Sequence, residues 1–133
     1  MGIAPVRLLL DTHAFLWWLG GDPSLSQSAQ AAIADQNNNV FVSAASAWEM
    51  ATKHRIGKLP SAAAIIADLD SILAVQGFAG LPIEVRHGQI AGALPGPHRD
   101  PFDRMLIAQA MLESLTLVSN EQAFDAYGAV RLW

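Results

Sequence analysis

The stretch VRLLLDTHAFLWWL at residues 6–19 decides the fold of this chain. Its first five residues form a mostly apolar run that is too short for a helix, and Asp11 and Thr12 follow as possible caps for a helix over residues 13–19. This pattern predicts a strand that leads directly into a helix. A second unit follows, with a strand at residues 40–42 and a helix at residues 44–56 that ends at Gly57.

The rest of the chain repeats this alternation. Helices are predicted at residues 26–35, 59–76 and 84–94, and a further helix, capped by Asp100 with Pro101 at its first position, runs to about residue 114. Short strands are predicted within residues 78–83 and at residues 116–118 and 130–133. Because parallel strands joined by helices bury both faces of a sheet, we expect a three-layer α/β/α fold, formed by a single domain over residues 1–133.

Composition narrows the classes of function. Of the 133 residues 52% are hydrophobic and 15% are charged, which is typical of a globular domain. The net charge of −4 argues against an extended basic surface for nucleic acid, and the absence of cysteine excludes disulfides, thiolate catalysis and cysteine-ligated metals. Residues 1–10 lack a secretory signal, and charges and glycines interrupt the apolar residues 61–81, so we expect a cytoplasmic protein that does not span a membrane.

Acidic side chains follow the predicted strands where a ligand site is expected. Ligands of open parallel sheets bind beyond the carboxyl ends of the strands. Asp11 follows the first strand, and Ser119, Asn120 and Glu121 follow the fourth. Asp103 begins an apolar helical stripe and Glu49 lies on a helix face with small neighbours, so both are expected to point towards the same crevice.

A group of carboxylates at one crevice requires a counter-ion. Carboxylates repel one another strongly unless a cation intervenes, and a set of oxygen ligands favours Mg2+ or Mn2+ over zinc. Such an ion leaves coordination positions open for a phosphodiester and for the attacking water. The sequence therefore indicates metal-assisted hydrolysis, with one ion or two.

Each acidic residue also has a structural alternative. Asp11 and Asp100 are suited to cap helices, and Asp103 would suit the positive end of a helix dipole. Glu49 can pair with Lys53 on a solvated helix face, and Glu121 can be a surface turn residue.

Four segments in this order resemble the PIN-domain family, and in particular its VapC-type ribonuclease toxins. They are LLLDTHAFLWWL at residues 8–19, SAWEMATKHRIGKL at residues 46–59, HRDPFDRMLIAQA at residues 98–110 and LVSNEQAFDAY at residues 117–127. The resemblance implies a five-stranded parallel sheet, a Mg2+- or Mn2+-dependent endoribonuclease and inhibition by a cognate antitoxin.

The family's acidic residues match positions in this chain. The resemblance implies that Asp11, Glu49 and Asp103 bind the metal and that these three residues and Glu121 form the catalytic set. Where the family commonly has Thr-x-Asp, this chain has Ser119-Asn120-Glu121, with an acid one methylene longer. Glu121 is therefore expected to act directly or through water, with Asn120 as an alternative oxygen ligand, and the hydroxyls of Thr12 and Ser119 are expected to orient the acids.

Other residues indicate partners. An RNA substrate would meet cations at two places, a basic cluster of Lys53, His54, Arg55 and Lys58 and the pair of Arg99 and Arg104, although the cluster also suits a helix carboxyl end. His13 and His98 either assist RNA chemistry or are structural. The helix at residues 15–19 is apolar on every side, which indicates burial, a homodimer or an antitoxin helix, and a basic antitoxin side chain would inhibit by entering the acidic crevice.

Two other classes place an acid after the first strand. An aspartate-nucleophile phosphatase would need a second aspartate at the position of His13. A receiver-like switch domain would need an acid pair near the first strand and a lysine after a late strand, which the sequence lacks. A PIN-like module that binds partners without catalysis remains the alternative to the nuclease.

Overall fold

A computed structural model describes residues 4–133, and residues 1–3 of the predicted domain lie outside the described residues. Five parallel strands form one sheet in the order β3-β2-β1-β4-β5. The strands are β1 (Arg7–Leu10), β2 (Asn39–Ser43), β3 (Ala79–Leu81), β4 (Thr116–Val118) and β5 (Arg131–Leu132). The predicted α/β class, the parallel sheet and its five strands are confirmed.

Seven α-helices connect or cover these strands in the described part of the chain. They are α1 (Thr12–Gly20), α2 (Gln27–Ala34), α3 (Ala44–Arg55), α4 (Ala63–Ala67), α5 (Leu69–Gln76), α6 (Val85–Ala93) and α7 (Pro101–Leu112). Two short 3-10 helices occur at Pro60–Ala62 and Gln122–Tyr127, and the sequence did not predict the second. None of the helices within residues 4–133 is long and apolar enough to cross a membrane.

Successive side chains of β1 point to opposite faces of the sheet, so the core has two layers. Leu8 and Leu10 face a cluster that includes Phe15 of α1 and Leu73 of α5, whereas Leu9 faces a cluster built on Leu106 and Ile107 of α7. All three leucines of the strand are fully buried, which stabilises the fold by about 1.5–3 kcal/mol for each side chain. Helices therefore cover both faces of the sheet, as the α/β/α prediction requires.

The predicted single helix over residues 59–76 is wrong. The chain forms a 3-10 turn, then α4, and then α5, with a break at Asp68, whose backbone is not helical at φ −149° and ψ 54°. The apolar residues on both sides of the break, including Ile65 and Ile72, pack on the same core cluster. Two short helices therefore contribute apolar side chains to one cluster.

The sheet topology places the carboxyl end of β1 at a switch point. From β1 the chain proceeds outward to β2 and β3 on one side, and β4 and β5 lie on the other. Leu10 is in register with Val42 of β2 and Val118 of β4, so the residues that come next along the chain after these three emerge side by side. These residues are Asp11, Ser43 and Ser119, and the crevice described below opens there.

Candidate functional site

A crevice of about 120 Å³ opens at the carboxyl edge of the sheet. Its walls contain all four acids that the sequence singled out, and the residues that line it are Asp11, Thr12, His13, Glu49, Lys53, Asp100, Asp103, Asn120, Glu121 and Phe124. The structure thus brings together side chains from the start of α1, from α3, from the start of α7 and from the segment after β4, which are far apart in the sequence.

Asp11 is buried at the amino end of α1. Its Oδ1 accepts a hydrogen bond from the backbone N–H of Ala14 at 2.8 Å, so the cap interpretation of this residue is correct. Burial raises the pKa of Asp11 above its ordinary value, against hydrogen bonds from the Ser119 hydroxyl and the Ala14 amide that lower it. Asp11 therefore both caps α1 and lines the crevice.

Glu49 is also buried, and α3 directs it into the crevice. Its Oε1 accepts a hydrogen bond from the Thr12 hydroxyl at 2.5 Å, and its Oε2 forms an ion pair with the ammonium of Lys53 one helical turn further on. The predicted pairing of Glu49 with Lys53 is present, but it is not on a solvated face, because only 5% of Glu49 is exposed. The Thr12 hydroxyl contacts a crevice acid, and the Ser119 hydroxyl accepts a hydrogen bond from the Glu121 amide at 3.0 Å.

Asp103 lies in the first turn of α7, where the stripe of Leu106, Ile107 and Ala110 is buried as predicted. Burial raises the pKa of Asp103 to about 6; a hydrogen bond from His98 lowers it, and the nearby carboxylates of Asp100 and Glu49 raise it. The ring Nε2 of His98 lies 2.9 Å from Asp103 Oδ2. Asp103 is therefore a carboxylate whose charged form is disfavoured by burial and which contacts the ring of His98.

The loop that presents His98 is fixed by its neighbours. The backbone N–H of His98 donates to the Tyr127 hydroxyl at 2.9 Å, and its ring packs edge-on against Phe124 and Tyr127. Gly96 adopts a φ of +101°, and a Cβ there would lie 2.8 Å from the Tyr127 hydroxyl oxygen. The position of His98 therefore follows from tertiary packing that the sequence pattern did not reveal.

Asp100 and Glu121 line the crevice in different ways. Asp100 caps α7 by accepting hydrogen bonds from the amides of Phe102 and Asp103, as predicted. Glu121 is exposed, and its carboxylate accepts a hydrogen bond from the Ala123 amide at 3.2 Å, which caps the final 3-10 helix. Asn120 is exposed beside it. The turn alternative for Glu121 is therefore correct in geometry, and the side chain still borders the crevice.

The predicted role of Arg104 at substrate phosphates is wrong. Its guanidinium donates to the backbone carbonyls of Ala91, Leu94 and His98, which end α6 and begin the loop before α7. These bonds satisfy carbonyl groups that a helix terminus leaves without partners. Arg99 is exposed, whereas Lys53 of the predicted basic cluster turns into the crevice.

A second group of possible metal ligands lies at the other end of α7. Glu84, His87 and Glu113 offer ligand atoms that lie within 4.8 Å of one another. Glu113 is ten residues after Asp103, which corresponds to about 15 Å along the helix axis. No local pattern in the sequence marks this group, because its members come from the start of α6 and the end of α7.

Hydrogen bonds already satisfy this second group. His87 Nδ1 accepts from the Glu84 amide at 2.9 Å, and its Nε2 lies 3.0 Å from Glu113 Oε1. Arg86 donates to both carboxylates and supplies the positive charge that they need. Its bonds join the start of α6 to the end of α7, so the group is explained as a structural clamp.

The donor set of the crevice suits a hard divalent cation. Five carboxylates line it together with hydroxyl and amide oxygens, and the lysine among its lining residues, Lys53, balances part of that charge. Burial is the main cause of the raised pKa values of Asp11 and Asp103, and it makes their charged forms costly unless a cation is near. Oxygen donors of these types match the preference of Mg2+ and Mn2+.

Comparison with known proteins gives a family and several structural relatives. The model of the PIN domain family matches residues 8–130. Three structures similar to this chain illustrate the relatives: VapBC2 from Rickettsia felis bound to promoter DNA, FitAcB from Neisseria gonorrhoeae, and VapC20 of Mycobacterium tuberculosis, described as a toxin that cleaves the sarcin-ricin loop. Comparison with the sequences of curated proteins gives no match.

These similarities extend over the whole fold at low sequence identity. VapBC2 has a TM-score of 0.70 at 16% identity, covering 96% of this chain and 98% of that one. FitAcB has a TM-score of 0.64 at 20% identity, covering 95% and 96%. VapC20 has a TM-score of 0.66 at 15% identity, covering 92% and 96%. At such identities the structural similarity establishes the shared fold.

Proposed function

This chain belongs to the PIN domain family, and on that premise we propose that it is a Mg2+- or Mn2+-dependent endoribonuclease and the toxin of a toxin–antitoxin pair. The observation that carries the proposal is the meeting of Asp11, Glu49 and Asp103 in one crevice at the switch point of the sheet. Acids gathered there need a cation, and the fold offers an open edge where RNA can approach.

We assign Asp11, Glu49 and Asp103 as metal ligands, with Glu121 as the fourth acid of the catalytic set. When bound, the ion would lower the pKa of a water molecule and neutralise charge on the phosphodiester. The hydroxyls of Thr12 and Ser119 hold Glu49 and Asp11 in place. The exposed position of Glu121 suits contact with solvent or substrate, directly or through water.

The similar structures support an antitoxin partner. They are VapBC2 and FitAB, each bound to a DNA fragment, and VapC20, described as a toxin that cleaves the sarcin-ricin loop. By analogy we infer that this chain cuts cellular RNA in the cytoplasm, acts as one domain and forms a homodimer. The antitoxin would block the crevice by placing a basic side chain among its acids.

A groove beside α1 is the surface that we assign to the antitoxin. It has a volume of about 620 Å³ and runs between α1 and the pair α4 and α5, lined by apolar residues such as Leu16, Trp17 and Ile65. His13 lines both this groove and the crevice, so an amphipathic helix seated in the groove would end beside the acids. Much of the apolar surface of α1 is nevertheless half-buried against the core.

Filling the groove should weaken antitoxin binding. Ser61 is exposed and lines the groove, so Ser61→Trp would obstruct it with little change to the core. We expect the Kd for the antitoxin to rise about tenfold or more, because a hydrophobic anchor site is lost. Ser71→Trp, at an exposed position of α5 outside the groove lining, is the matched control. Equal affinity of the Ser61 variant and the control would contradict the assignment.

The nuclease proposal is tested by metal removal. The protein is freed of antitoxin by unfolding and refolding and is then incubated with a panel of RNAs in Mg2+, in Mn2+ and in EDTA. We expect cleavage with either ion, loss of cleavage in EDTA and recovery when excess Mn2+ is returned. Cleavage that persists in EDTA would contradict metal dependence, and failure to cut any RNA would favour the partner-binding module.

A further inference from the structure

Lys53 is the basic side chain that the structure places against the acids of the crevice. Its ammonium forms an ion pair with Glu49 Oε2, and the residue lines the crevice beside Asp100 and Asp103. Its side chain is 34% exposed, so the ammonium is held within the crevice and is not freely solvated. Membership of the basic cluster at the end of α3 therefore does not account for the ion pair of Lys53 or for its position in the crevice.

Glu49 attracts the ammonium of Lys53 through their ion pair, and Asp100 and Asp103 line the same crevice. The same carboxylate of Glu49 accepts a hydrogen bond from Thr12 on its other oxygen. Both oxygens of Glu49 are therefore engaged in the structure before any metal binds.

We propose that Lys53 is an internal counter-cation that competes with the divalent ion for Glu49. This inference rests on the proposed metal site. The ammonium stabilises the protein without metal by neutralising part of the crevice charge. A divalent ion that takes Glu49 as a ligand must displace the ammonium or share the carboxylate with it, and either event weakens metal binding.

Lys53→Met tests this competition, because methionine keeps much of the apolar stem and removes the charge. Titration with Mn2+ in a calorimeter should show a Kd about tenfold lower than that of the unchanged protein, which corresponds to about 1.4 kcal/mol. In EDTA the variant should have a lower Tm, because the carboxylates lose their counter-ion. Saturating Mn2+ should then raise its Tm more than that of the unchanged protein.

Two further variants separate the specific contact from general effects. Lys58→Met removes the same charge from an exposed position just beyond α3 and should change the Kd for Mn2+ less than about twofold. Lys53→Arg keeps the charge and should retain most of the competition. If Lys53→Met fails to fold in EDTA, refolding it in Mn2+ and measuring the metal affinity of the folded protein gives the same comparison.

The outcomes distinguish this inference from the nuclease proposal. A Kd for Mn2+ that is unchanged or higher in Lys53→Met overturns the competition while leaving the metal site intact. Binding of Mn2+ by Lys53→Met when the unchanged protein binds none supports the competition in its strongest form. If neither protein binds Mn2+, both the competition and the proposed metal site are wrong.

Discussion

Asp103→Asn and Asp11→Asn are each expected to lower the rate of RNA cleavage more than about 100-fold. Residues that only orient metal ligands typically cost 10- to 100-fold when they are changed, so the loss of a ligand itself should cost at least as much. Both substitutions keep the shape of the side chain and remove a negative charge. The rate of cleavage by antitoxin-free protein in saturating Mg2+ is the measurement.

The comparison needs a control variant outside the crevice and a variant of the fourth acid. Asp70→Asn makes the same chemical change at an exposed position of α5 and should cleave at the unchanged rate. Glu121→Gln should lose less than about tenfold, because its amide oxygen can still cap the 3-10 helix and the side chain is exposed. Full activity of both the Asp11 and the Asp103 variants would contradict the assignment of these residues as metal ligands.

The same Asp103→Asn substitution should stabilise the protein without metal. Burial disfavours the charged form of this side chain and raises its pKa to about 6, so at pH 7 the fold holds a carboxylate at a cost. Replacing it by a neutral amide removes that cost but also loses the attraction to His98. We expect a net gain on the order of 1 kcal/mol, or about 4 °C in Tm, in EDTA.

The pH dependence of this effect has a definite sign. Because the pKa of Asp103 is higher in the folded protein than its ordinary value of 3.8, the favourable contribution of its protonated form is complete below that value. The contribution is lost as the pH rises through about 6. The variant should therefore exceed the unchanged protein in Tm most at pH 7 and above, and the difference should shrink towards pH 4.

Metal should reverse the order of stability. Saturating Mn2+ should raise the Tm of the unchanged protein more than that of Asp103→Asn, because the variant lacks one ligand. Asp70→Asn should follow the unchanged protein in both conditions. If Asp103→Asn is less stable than the unchanged protein in EDTA at pH 7, the charged form of Asp103 stabilises the fold, which would contradict this prediction.

The local signals in the sequence predicted the fold well. The apolar runs marked the strands, the caps at Asp11 and Asp100 marked the starts of α1 and α7, and both caps are present. The rule that ligands bind at the carboxyl edge of a parallel sheet then brought Asp11 and Glu121 to one place. The break at Asp68 was not predictable, because the apolar spacing continues across it.

The contacts within the crevice could not be predicted from local patterns. Arg104 follows Asp103 in the sequence, yet its guanidinium turns away to the carbonyls at the end of α6. The contact of His98 with Asp103 depends on Tyr127, which holds the loop from the far end of the chain. Tertiary packing decides whether a polar side chain faces the substrate site or bonds a backbone carbonyl. The spacing of residues along the sequence does not show which of the two occurs.

The central claim is that a divalent ion binds among Asp11, Glu49 and Asp103. The most direct test is the anomalous scattering of Mn2+ in crystals of the antitoxin-free protein, collected at the manganese absorption edge. The account predicts an anomalous peak in the crevice between these three carboxylates. A peak only at Glu84, His87 and Glu113, with none in the crevice at saturating Mn2+, would contradict it.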